Sequence, residues 1–327
     1  MNKNNLVCIA AVFCAAFSLA PAHAESACHF VEQASLSLSH AEQSRTPTVA
    51  GQINGQPVRM LLDTGATETF ITRTEADRQN LNPERIKKQT QGVGGLSSVF
   101  LVKVRDFAIG DAHVTNLRFP VNEIFGQKDV SALIGADFLL QYDMELNLAE
   151  NSVKLFRADH CAEKGLAYWD QNAMTVPIEL LDKSQSARVQ VKINGIAIWA
   201  MVDSGAARST IDLSTARKLG FSVDAPNVRK SGHFAGIGPA VRDAWNMTFD
   251  SFAIGDEVIQ HPTIAIIDGD DAFLGRKPFQ MLLGRDFLRS HRVMLAPSQM
   301  LLYYSYLGGQ VFSTSERSAP KPQHAAP

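Results

Sequence analysis

The chain has 327 residues, of which 45% are hydrophobic and 20% are charged, a composition typical of a folded globular protein rather than a disordered one. Its 31 Lys and Arg residues nearly balance its 33 Asp and Glu residues, for a formal net charge of −2. No basic block is present, so we expect no nucleic-acid partner. The length fits two domains or one large domain.

The first 24 residues predict a secretory signal peptide. Lys3 supplies a positive charge, residues 6–19 form a short apolar core, and Ala22-His23-Ala24 is a small-x-small cleavage site. The apolar core is too short to span a bilayer, and no later stretch is long and apolar enough to do so. We therefore expect a soluble mature chain in the periplasm or outside the cell, with no membrane contact after cleavage.

Removal of the signal peptide leaves two of the four cysteines, Cys28 and Cys161. An even number of cysteines in an exported chain predicts one disulfide bond. Such a bond would connect the start of the mature chain to the junction between its two halves. Two unrelated buried thiols are the alternative, and neither cysteine has neighbours typical of a catalytic nucleophile.

Four segments recur in the same order in the two halves of the chain. An Asn-Gly pair precedes an apolar run that ends in Asp-Thr-Gly-Ala in the first half and in Asp-Ser-Gly-Ala in the second. Phe-Ala-Ile-Gly-Asp occurs in both halves, and an apolar-apolar-Gly-x-Asp-Phe-Leu segment follows it. The spacing between equivalent segments grows slowly along the chain, so the pattern indicates a duplicated domain with small insertions in the second copy. The segments are 54–55 and 194–195, 63–66 and 203–206, 107–111 and 252–256, and 132–139 and 281–288.

Each copy is predicted to consist mostly of strands. Apolar runs rich in strand-forming residues are frequent, whereas helical periodicity is confined to short stretches. Repeated short strands with glycine-rich turns indicate an all-β fold with one barrel-like lobe in each half and few short helices. The predicted strands are 58–62, 99–104, 153–156 and 196–202, and the predicted helices are 72–80, 214–219 and a short turn from Asp137 and from Asp286.

The repeats divide the chain into six parts. Within the N-terminal segment, the alternation of Ala34, Leu36 and Leu38 favours a strand in a sheet between the lobes, and a removable pro-segment is the alternative. The predicted parts are a signal peptide (1–24), an N-terminal segment (25–45), lobe 1 (46–158), a connector (159–186), lobe 2 (187–306) and a disordered tail (307–327).

The Asp-Thr-Gly and Asp-Ser-Gly turns are the strongest chemical signal in the sequence. Each follows an apolar strand that could carry its carboxylate to the middle of the molecule. The glycine permits a tight turn, and the hydroxyl can hydrogen-bond within or across that turn. One such tripeptide is weak evidence, but two in duplicated lobes point to a pair of carboxylates that work together. The residues are Asp63, Thr64 and Gly65 in the first copy and Asp203, Ser204 and Gly205 in the second.

These motifs resemble the retropepsin-type aspartic peptidases of clan AA, here joined as two lobes on one chain. Residues 61–66 are close to the retroviral form of the active-site loop, and 133–135 and 282–284 resemble the second motif that packs behind it. Two glycine-rich segments resemble the flap hairpin that closes over substrate, with an ordinary hairpin turn as the alternative. The flap residues are Gly92, Val93, Gly94 and Gly95 in lobe 1 and Gly236, Ile237 and Gly238 in lobe 2.

The resemblance implies an acid protease fold whose lobes are related by a pseudo-twofold axis, with Asp63 and Asp203 as the catalytic pair. Two adjacent carboxylates share one proton, so one acts as general base on water while the other polarises the peptide carbonyl. Thr64 and Ser204 would hold the two loops together. The implied substrate is a protein or peptide, no metal or organic cofactor is expected, and the chain would act as a monomer.

Two departures from the pepsin pattern affect the expected pH dependence and flap chemistry. Ala66 and Ala206 stand where pepsin-like enzymes usually carry a hydroxyl that lowers the pKa of the ionised carboxylate. Their presence predicts an optimum between weakly acidic and neutral pH. Neither flap segment contains Tyr, so a pepsin-like flap hydrogen bond is absent.

Other interpretations remain open from the sequence. Both Asp-x-Gly turns could be structural, the chain could be a catalytically weak or inactive two-lobed peptide-binding protein, and whole chains could dimerise. Arg285, Asp137 and Asp286 are expected to brace the second motif rather than to do chemistry. Asp268-Gly269-Asp270-Asp271 hints at a cation loop but lacks calcium-site spacing, so it is interpreted as an exposed insertion.

Overall fold

Strands form most of the fold in the computed structural model, which describes residues 27–40, 46–123, 129–181, 186–269 and 279–312. The predicted signal peptide, Asp270 and Asp271 of the acidic insertion, and residues 313–327 of the predicted tail lie outside this part of the chain.

Within the described residues there are 23 strands and four short helices. The strands of the first half are β1 (His29–Ser37), β2 (Ser39–His40), β3 (Pro47–Ile53), β4 (Gln56–Leu62), β5 (Phe70–Thr72), β6 (Glu84–Gly92), β7 (Gly95–Ile109), β8 (Ala112–Asn122), β9 (Ala132–Ile134), β10 (Asp143–Asn147) and β11 (Ser152–Asp159). Those of the second half are β12 (Met174–Leu180), β13 (Ala187–Ile193), β14 (Ile196–Val202), β15 (Thr210–Asp212), β16 (Val228–Phe234), β17 (Arg242–Thr248), β18 (Ser251–Ile254), β19 (Glu257–Gln260), β20 (Thr263–Ile267), β21 (Met281–Leu283), β22 (His291–Ala296) and β23 (Leu301–Tyr306). The helices are α1 (Arg73–Arg78), α2 (Ala136–Leu139), α3 (Leu213–Lys218) and α4 (Arg285–Leu288).

Six strands of lobe 1 close into a barrel. Their order is β3-β4-β9-β5-β8-β7, and β7 pairs back with β3. Asn54 and Gly55 join β3 to β4 with φ angles of 51° and 77°, as a type I′ hairpin turn requires. Inward-facing apolar side chains such as Met60, Val102 and Val121 are fully buried inside the barrel. The predicted all-β, barrel-like lobe is confirmed.

Lobe 2 repeats this strand order as β13-β14-β21-β15-β20-β17. The equivalent of β7 is broken into β17 and β18, and β18 makes the closing pair with β13. Ile193 lies opposite Phe252 in this pair, just as Ile53 lies opposite Phe107 in lobe 1. The equivalent of β8 is likewise split into β19 and β20.

A six-stranded antiparallel sheet, in the order β1-β11-β10-β22-β23-β12, connects the two lobes. Its central pair is β10 and β22, in which Leu146 lies opposite Val293. Each half of the chain thus contributes three strands. Strand β1 pairs along β11 at one edge, so the N-terminal segment forms the strand that its alternating residues predict.

The predicted disulfide bond is present between Cys28 and Cys161, whose Cα atoms lie 4.6 Å apart. It links the residue before β1 to the connector that follows β11. The bond closes a loop with a sequence separation of 133 residues. By chain entropy alone a loop of this length stabilises the fold by about 5 kcal/mol.

The core extends beyond the last strand into residues that the sequence assigns to the tail. Phe312 is buried, and its ring centroid lies 4.8 Å from that of Phe252 and 6.1 Å from that of Phe287. Residues 307–312 therefore contribute to packing in lobe 2. Among the described residues, no helix combines the length and apolar character that a membrane span requires.

Candidate active site

Asp63 and Asp203 are the first residues after two equivalent buried strands, β4 and β14. Each of these strands pairs in parallel with a short strand from the second motif of its lobe. The backbone N–H of Asp63 donates to the carbonyl of Ile134 at 2.9 Å, and that of Asp203 donates to Leu283 at 3.0 Å. The parallel strand, β9 in lobe 1 and β21 in lobe 2, therefore fixes the position of each aspartate at the end of its own strand.

The turn after each aspartate holds its carboxyl group. In both loops one carboxylate oxygen accepts hydrogen bonds from the backbone N–H groups two and three residues further on. These distances are 3.0 Å in the loop of Asp63 and 2.9 Å in the loop of Asp203. Each carboxyl group also lies against the glycine of the opposite loop. The structure thus brings together the two aspartates that the sequence singles out.

Reciprocal hydrogen bonds tie the two loops together. The hydroxyl of Thr64 donates to the carbonyl of Val202 at 2.7 Å and accepts from the backbone N–H of Ser204 at 3.1 Å. The hydroxyl of Ser204 donates to the carbonyl of Leu62 at 2.7 Å and accepts from the N–H of Thr64 at 3.1 Å. Both side chains are buried, so these bonds are protected from competing water.

Two glycines make room for the close approach of the carboxyl groups. A Cβ atom on Gly65 would lie 2.5 Å from Cγ of Asp203, and one on Gly205 would lie 2.3 Å from Cγ of Asp63. Both distances are shorter than any tolerable contact, so another residue at either position would push the opposite carboxyl group away.

The pKa values of both aspartates are raised. Loss of water around the carboxyl group is the largest cause for Asp63, and the neighbouring charge of Asp203 is the next, so its pKa lies well above the usual range. Burial also raises the pKa of Asp203, but hydrogen bonds from Ala206, Asp63 and Gly205 and the positive charge of Arg285 partly offset that rise. The pair can therefore hold a single shared proton, as adjacent carboxyl groups do when they titrate together.

The second motif of each lobe braces the loop from behind, as expected for Asp137 and Asp286. Asp137 accepts hydrogen bonds from the backbone N–H and the hydroxyl of Thr69, at 2.9 and 2.8 Å. Asp286 accepts the equivalent pair from Ser209, at 2.8 and 2.6 Å. The same residues play the same part in both lobes.

Arg285 makes a contact that the sequence analysis missed. Its side chain is only 2% exposed, and Nη1 donates to the carbonyl of Gly205 in the loop of Asp203 at 2.9 Å. The equivalent residue in lobe 1 is Ala136. The available signal was this mismatch between the copies, since a charged residue inside an otherwise apolar motif must find a buried partner.

The two glycine-rich segments lie at the ends of long hairpins. In lobe 1, β6 and β7 pair up to Gly92 and Gly95, leaving Val93 and Gly94 as the tip. In lobe 2, β16 and β17 are joined by residues 235–241, which include Gly236, Ile237 and Gly238. Both candidate flaps are therefore hairpins, and the second has the longer tip.

The two tips meet each other. The backbone N–H of Gly94 donates to the carbonyl of Ile237 at 2.8 Å, and that of Ala240 donates to the carbonyl of Gly94 at 2.9 Å. Nε of Arg242 donates to the carbonyl of Val93 at 3.0 Å. A Cβ atom on Gly94 would lie 2.5 Å from the carbonyl oxygen of Gly238, so the tips require glycine to approach this closely.

Each tip packs against the opposite lobe. Val93 of lobe 1 packs against an apolar cluster of lobe 2, as does Ala206, the residue after the Asp-Ser-Gly turn. Ile237 of lobe 2 packs against an apolar cluster of lobe 1, as does Ala66, the residue after the Asp-Thr-Gly turn. The hairpins thus cross between the lobes beside the two aspartate loops. The clusters are Met201, Ala244, Ile267 and Leu282 in lobe 2, and Leu61, Phe70, Val130 and Leu133 in lobe 1.

A comparison with known protein families agrees with this geometry. A family model described as "Aspartyl protease" matches residues 49–138 and again residues 189–287, one match in each lobe. The chain belongs to the aspartyl protease family. This aspartyl protease has the tandem, two-lobed form of the retropepsin-like type, and its family supports a hydrolase of the peptidase class that acts on protein. Among the described residues of this aspartyl protease, no group of three or more His, Cys, Asp or Glu residues is arranged to hold a metal ion.

Proposed function

We propose that this chain is an exported aspartic endopeptidase in which Asp63 and Asp203 activate a water molecule. The observation that carries the proposal is the pairing of two carboxyl groups across an axis, each held by two backbone N–H groups and each lying against the glycine of the opposite loop. The raised pKa values of both groups support a shared proton, which gives one site a general base and a general acid.

The reaction uses only these groups, the water and the substrate. The ionised carboxylate takes a proton from water while the water oxygen bonds to the carbonyl carbon of the peptide, and the protonated carboxyl gives its proton to the carbonyl oxygen. The tetrahedral product then breaks its carbon–nitrogen bond. The departing amine takes up a proton from one carboxyl group, and a hydroxyl of the intermediate returns a proton to the other.

Three further features support the details of the proposal. The hairpins of lobes 1 and 2 meet beside the dyad, where they can cover a bound peptide and exclude water. The predicted signal peptide and the disulfide between Cys28 and Cys161 favour an oxidising compartment outside the cytoplasm. Both carboxyl groups lie on one chain, so a monomer is sufficient for catalysis.

The test is cleavage of an unstructured protein or a mixed peptide library by purified residues 25–327 between pH 3 and 8. Asp63→Asn and Asp203→Asn should each lower the rate by about 10³-fold or more, because each variant removes one proton carrier. Asp224→Asn, at an exposed position of lobe 2, is the matched control and should cleave like the wild type.

We expect the optimum between weakly acidic and neutral pH, because Ala66 and Ala206 provide no hydroxyl to the ionised carboxylate. Folded wild-type protein that cleaves nothing at any pH would contradict the peptidase and favour a two-lobed peptide-binding protein. Activity that survives either dyad substitution would show that the chemistry lies elsewhere.

A further inference from the structure

The two aspartates sit in loops of nearly equal geometry, but in the part of the chain that the structure describes only the loop of Asp203 has a buried cation behind it. Arg285 is the first residue of α4, and its side chain is 2% exposed. The equivalent first residue of α2 is Ala136, which is fully buried and carries no charge. The backbone is the same in both places, since Ala136 N–H donates to Ala66 at 2.8 Å and Arg285 N–H donates to Ala206 at 2.9 Å.

The guanidinium group contacts the two peptide groups that hold Asp203. Nη1 donates to the carbonyl of Gly205 at 2.9 Å and to that of Ser204 at 3.4 Å. The first of these peptides ends in the N–H of Ala206 and the second in the N–H of Gly205, and both N–H groups donate to Oδ1 of Asp203 at 2.9 Å. A cation at the oxygen end of a peptide polarises its N–H end, so these bonds strengthen one another.

We propose that Arg285 is a positioning residue that determines which carboxyl group carries the negative charge: Asp203 is the ionised member of the dyad and Asp63 the protonated one. This assignment rests on the proposed peptidase function and deepens it. Asp203 then takes the proton from the attacking water, and Asp63 gives its proton to the carbonyl oxygen of the substrate.

The other charged groups around the dyad do not produce this difference. Asp137 on α2 and Asp286 on α4 are equivalent, and each is turned toward a hydroxyl and an N–H of its own lobe. Arg208 donates a hydrogen bond to the side chain of Asn246, and its positive charge lowers the pKa of Asp286 rather than that of either dyad residue. Among the described residues, the positive charge of Arg285 lowers the pKa of Asp203, whereas burial and the neighbouring charge of Asp203 raise the pKa of Asp63 well above its usual range.

The test is the pH dependence of kcat/KM for the wild type and for Arg285→Gln, Arg285→Met and Arg285→Lys. Without the cation the lower pKa of the pair rises, so the acid limb should move up by about one pH unit in the Gln and Met variants. Arg285→Lys keeps the charge, and its acid limb should stay close to that of the wild type. Arg208→Met, which removes a cation of lobe 2 that faces Asn246, is the matched control and should not move the limb.

A purely structural role predicts a different result. Neutral variants that fold and are slower by the same factor at every pH, with an unmoved acid limb, would overturn the assignment. A shift of the same size in Arg208→Met would overturn it too. If the wild type cleaves nothing, the proposed function has failed rather than the role of Arg285.

A second measurement does not depend on how the Arg285 variants fold. Wild-type protein labelled with ¹³C at the aspartate carboxyl carbons gives resonances for Asp63 and Asp203, assigned by their loss in Asp63→Asn and Asp203→Asn. At the pH of maximal activity the Asp203 carboxyl should be ionised and that of Asp63 protonated. The reverse pattern, or an equal distribution of charge, would overturn the proposal.

Discussion

Lobe 1 closes its barrel with one long strand, β7, whereas lobe 2 uses β17 and β18, with Phe249 buried at the break between them. The flap tips differ as well, since lobe 1 turns through Val93 and Gly94 and lobe 2 through residues 235–241. The aspartate loops show no such divergence. Their cross-axis hydrogen bonds have the same lengths in both directions, 2.7 and 3.1 Å.

The difference follows from what each region contacts. A loop at the axis touches its own equivalent, so a change in one copy disturbs the other copy as well. The break between β17 and β18 lies among residues of lobe 2, where the N–H of Phe249 donates to the carbonyl of Pro262, so it can be present without effect on lobe 1. Arg285 is an exception at the axis. Its backbone makes the same hydrogen bond as that of Ala136, but its side chain contacts the loop of Asp203 and has no counterpart in Ala136.

The largest expected effect tests the two outer strands of the sheet between the lobes, β1, which pairs with β11, and β12, which pairs with both β23 and β13. β1 begins next to the start of the predicted mature chain and is fastened by the disulfide, whereas β12 continues from the connector. Replacing both Cys28 and Cys161 with Ala should lower the free energy of unfolding by about 3–5 kcal/mol, measured by urea titration.

Hydrogen exchange in the same variant shows where the stability is lost. Amides of β1 should lose more protection than those of β12, because removal of the bond also allows β1 to open locally at its edge of the sheet. An unchanged free energy of unfolding, or an equal loss of protection in both strands, would contradict this account.

A smaller effect is expected at the hydroxyl groups that cross the axis. Thr64→Val and Ser204→Ala should each cost about 2–3 kcal/mol of unfolding free energy, because each leaves a buried carbonyl and a buried N–H without a partner. The costs should be equal, and the double variant should lose less than their sum since the four bonds form one network. Ser222→Ala, at an exposed position of lobe 2, serves as the control. Unequal costs would mean that the two loops differ in energy although their hydrogen-bond lengths are equal.

The smallest expected effect is a difference between the two aspartates in how each affects the pH dependence of the free energy of unfolding. When folding raises the pKa of a carboxyl group, the folded protein is most stable at pH values below the unfolded pKa. The free energy of unfolding then falls as the pH rises toward the folded pKa. Asp63→Asn removes this loss, so at pH 7 it should be more stable than the wild type by about 1–2 kcal/mol, with little difference at pH 3–4.

Asp203→Asn should gain less at pH 7, because it also deprives Arg285 of its anionic neighbour. Urea titrations at both pH values measure the two gains. A larger gain in unfolding free energy from Asp203→Asn than from Asp63→Asn would contradict the prediction that Asp63 has the more strongly raised pKa.

Local features of the fold could be predicted because they depend on neighbouring residues. The Asn54-Gly55 turn is set by its own φ angles, and the helix predicted over 72–80 is observed as α1, with Thr72 accepting the N–H of Glu75 at 3.2 Å. The duplicated motifs also predicted that Asp63 and Asp203 lie together, since equivalent residues of a duplicated fold lie on either side of its axis.

Contacts between distant residues could not be predicted in the same way. The bond from Arg242 to the carbonyl of Val93 joins two flaps whose crossing is encoded in no local pattern. The burial of Phe312 depends on a pocket between Phe252 and Phe287, and the sequence around it reads as a polar tail. The contact of Arg285 with Gly205 likewise requires knowledge of which carbonyl groups face the end of α4.

The bonds between Thr64 and Ser204 join residues 140 positions apart, and β10 in lobe 1 pairs with β22 near the end of lobe 2. Contacts of such long range form late, because the chain between them must be ordered first. A chain that has been synthesised only as far as lobe 1 holds Asp63 without Asp203. Under the proposed function, peptide-bond cleavage therefore begins only after the loops of both lobes have met.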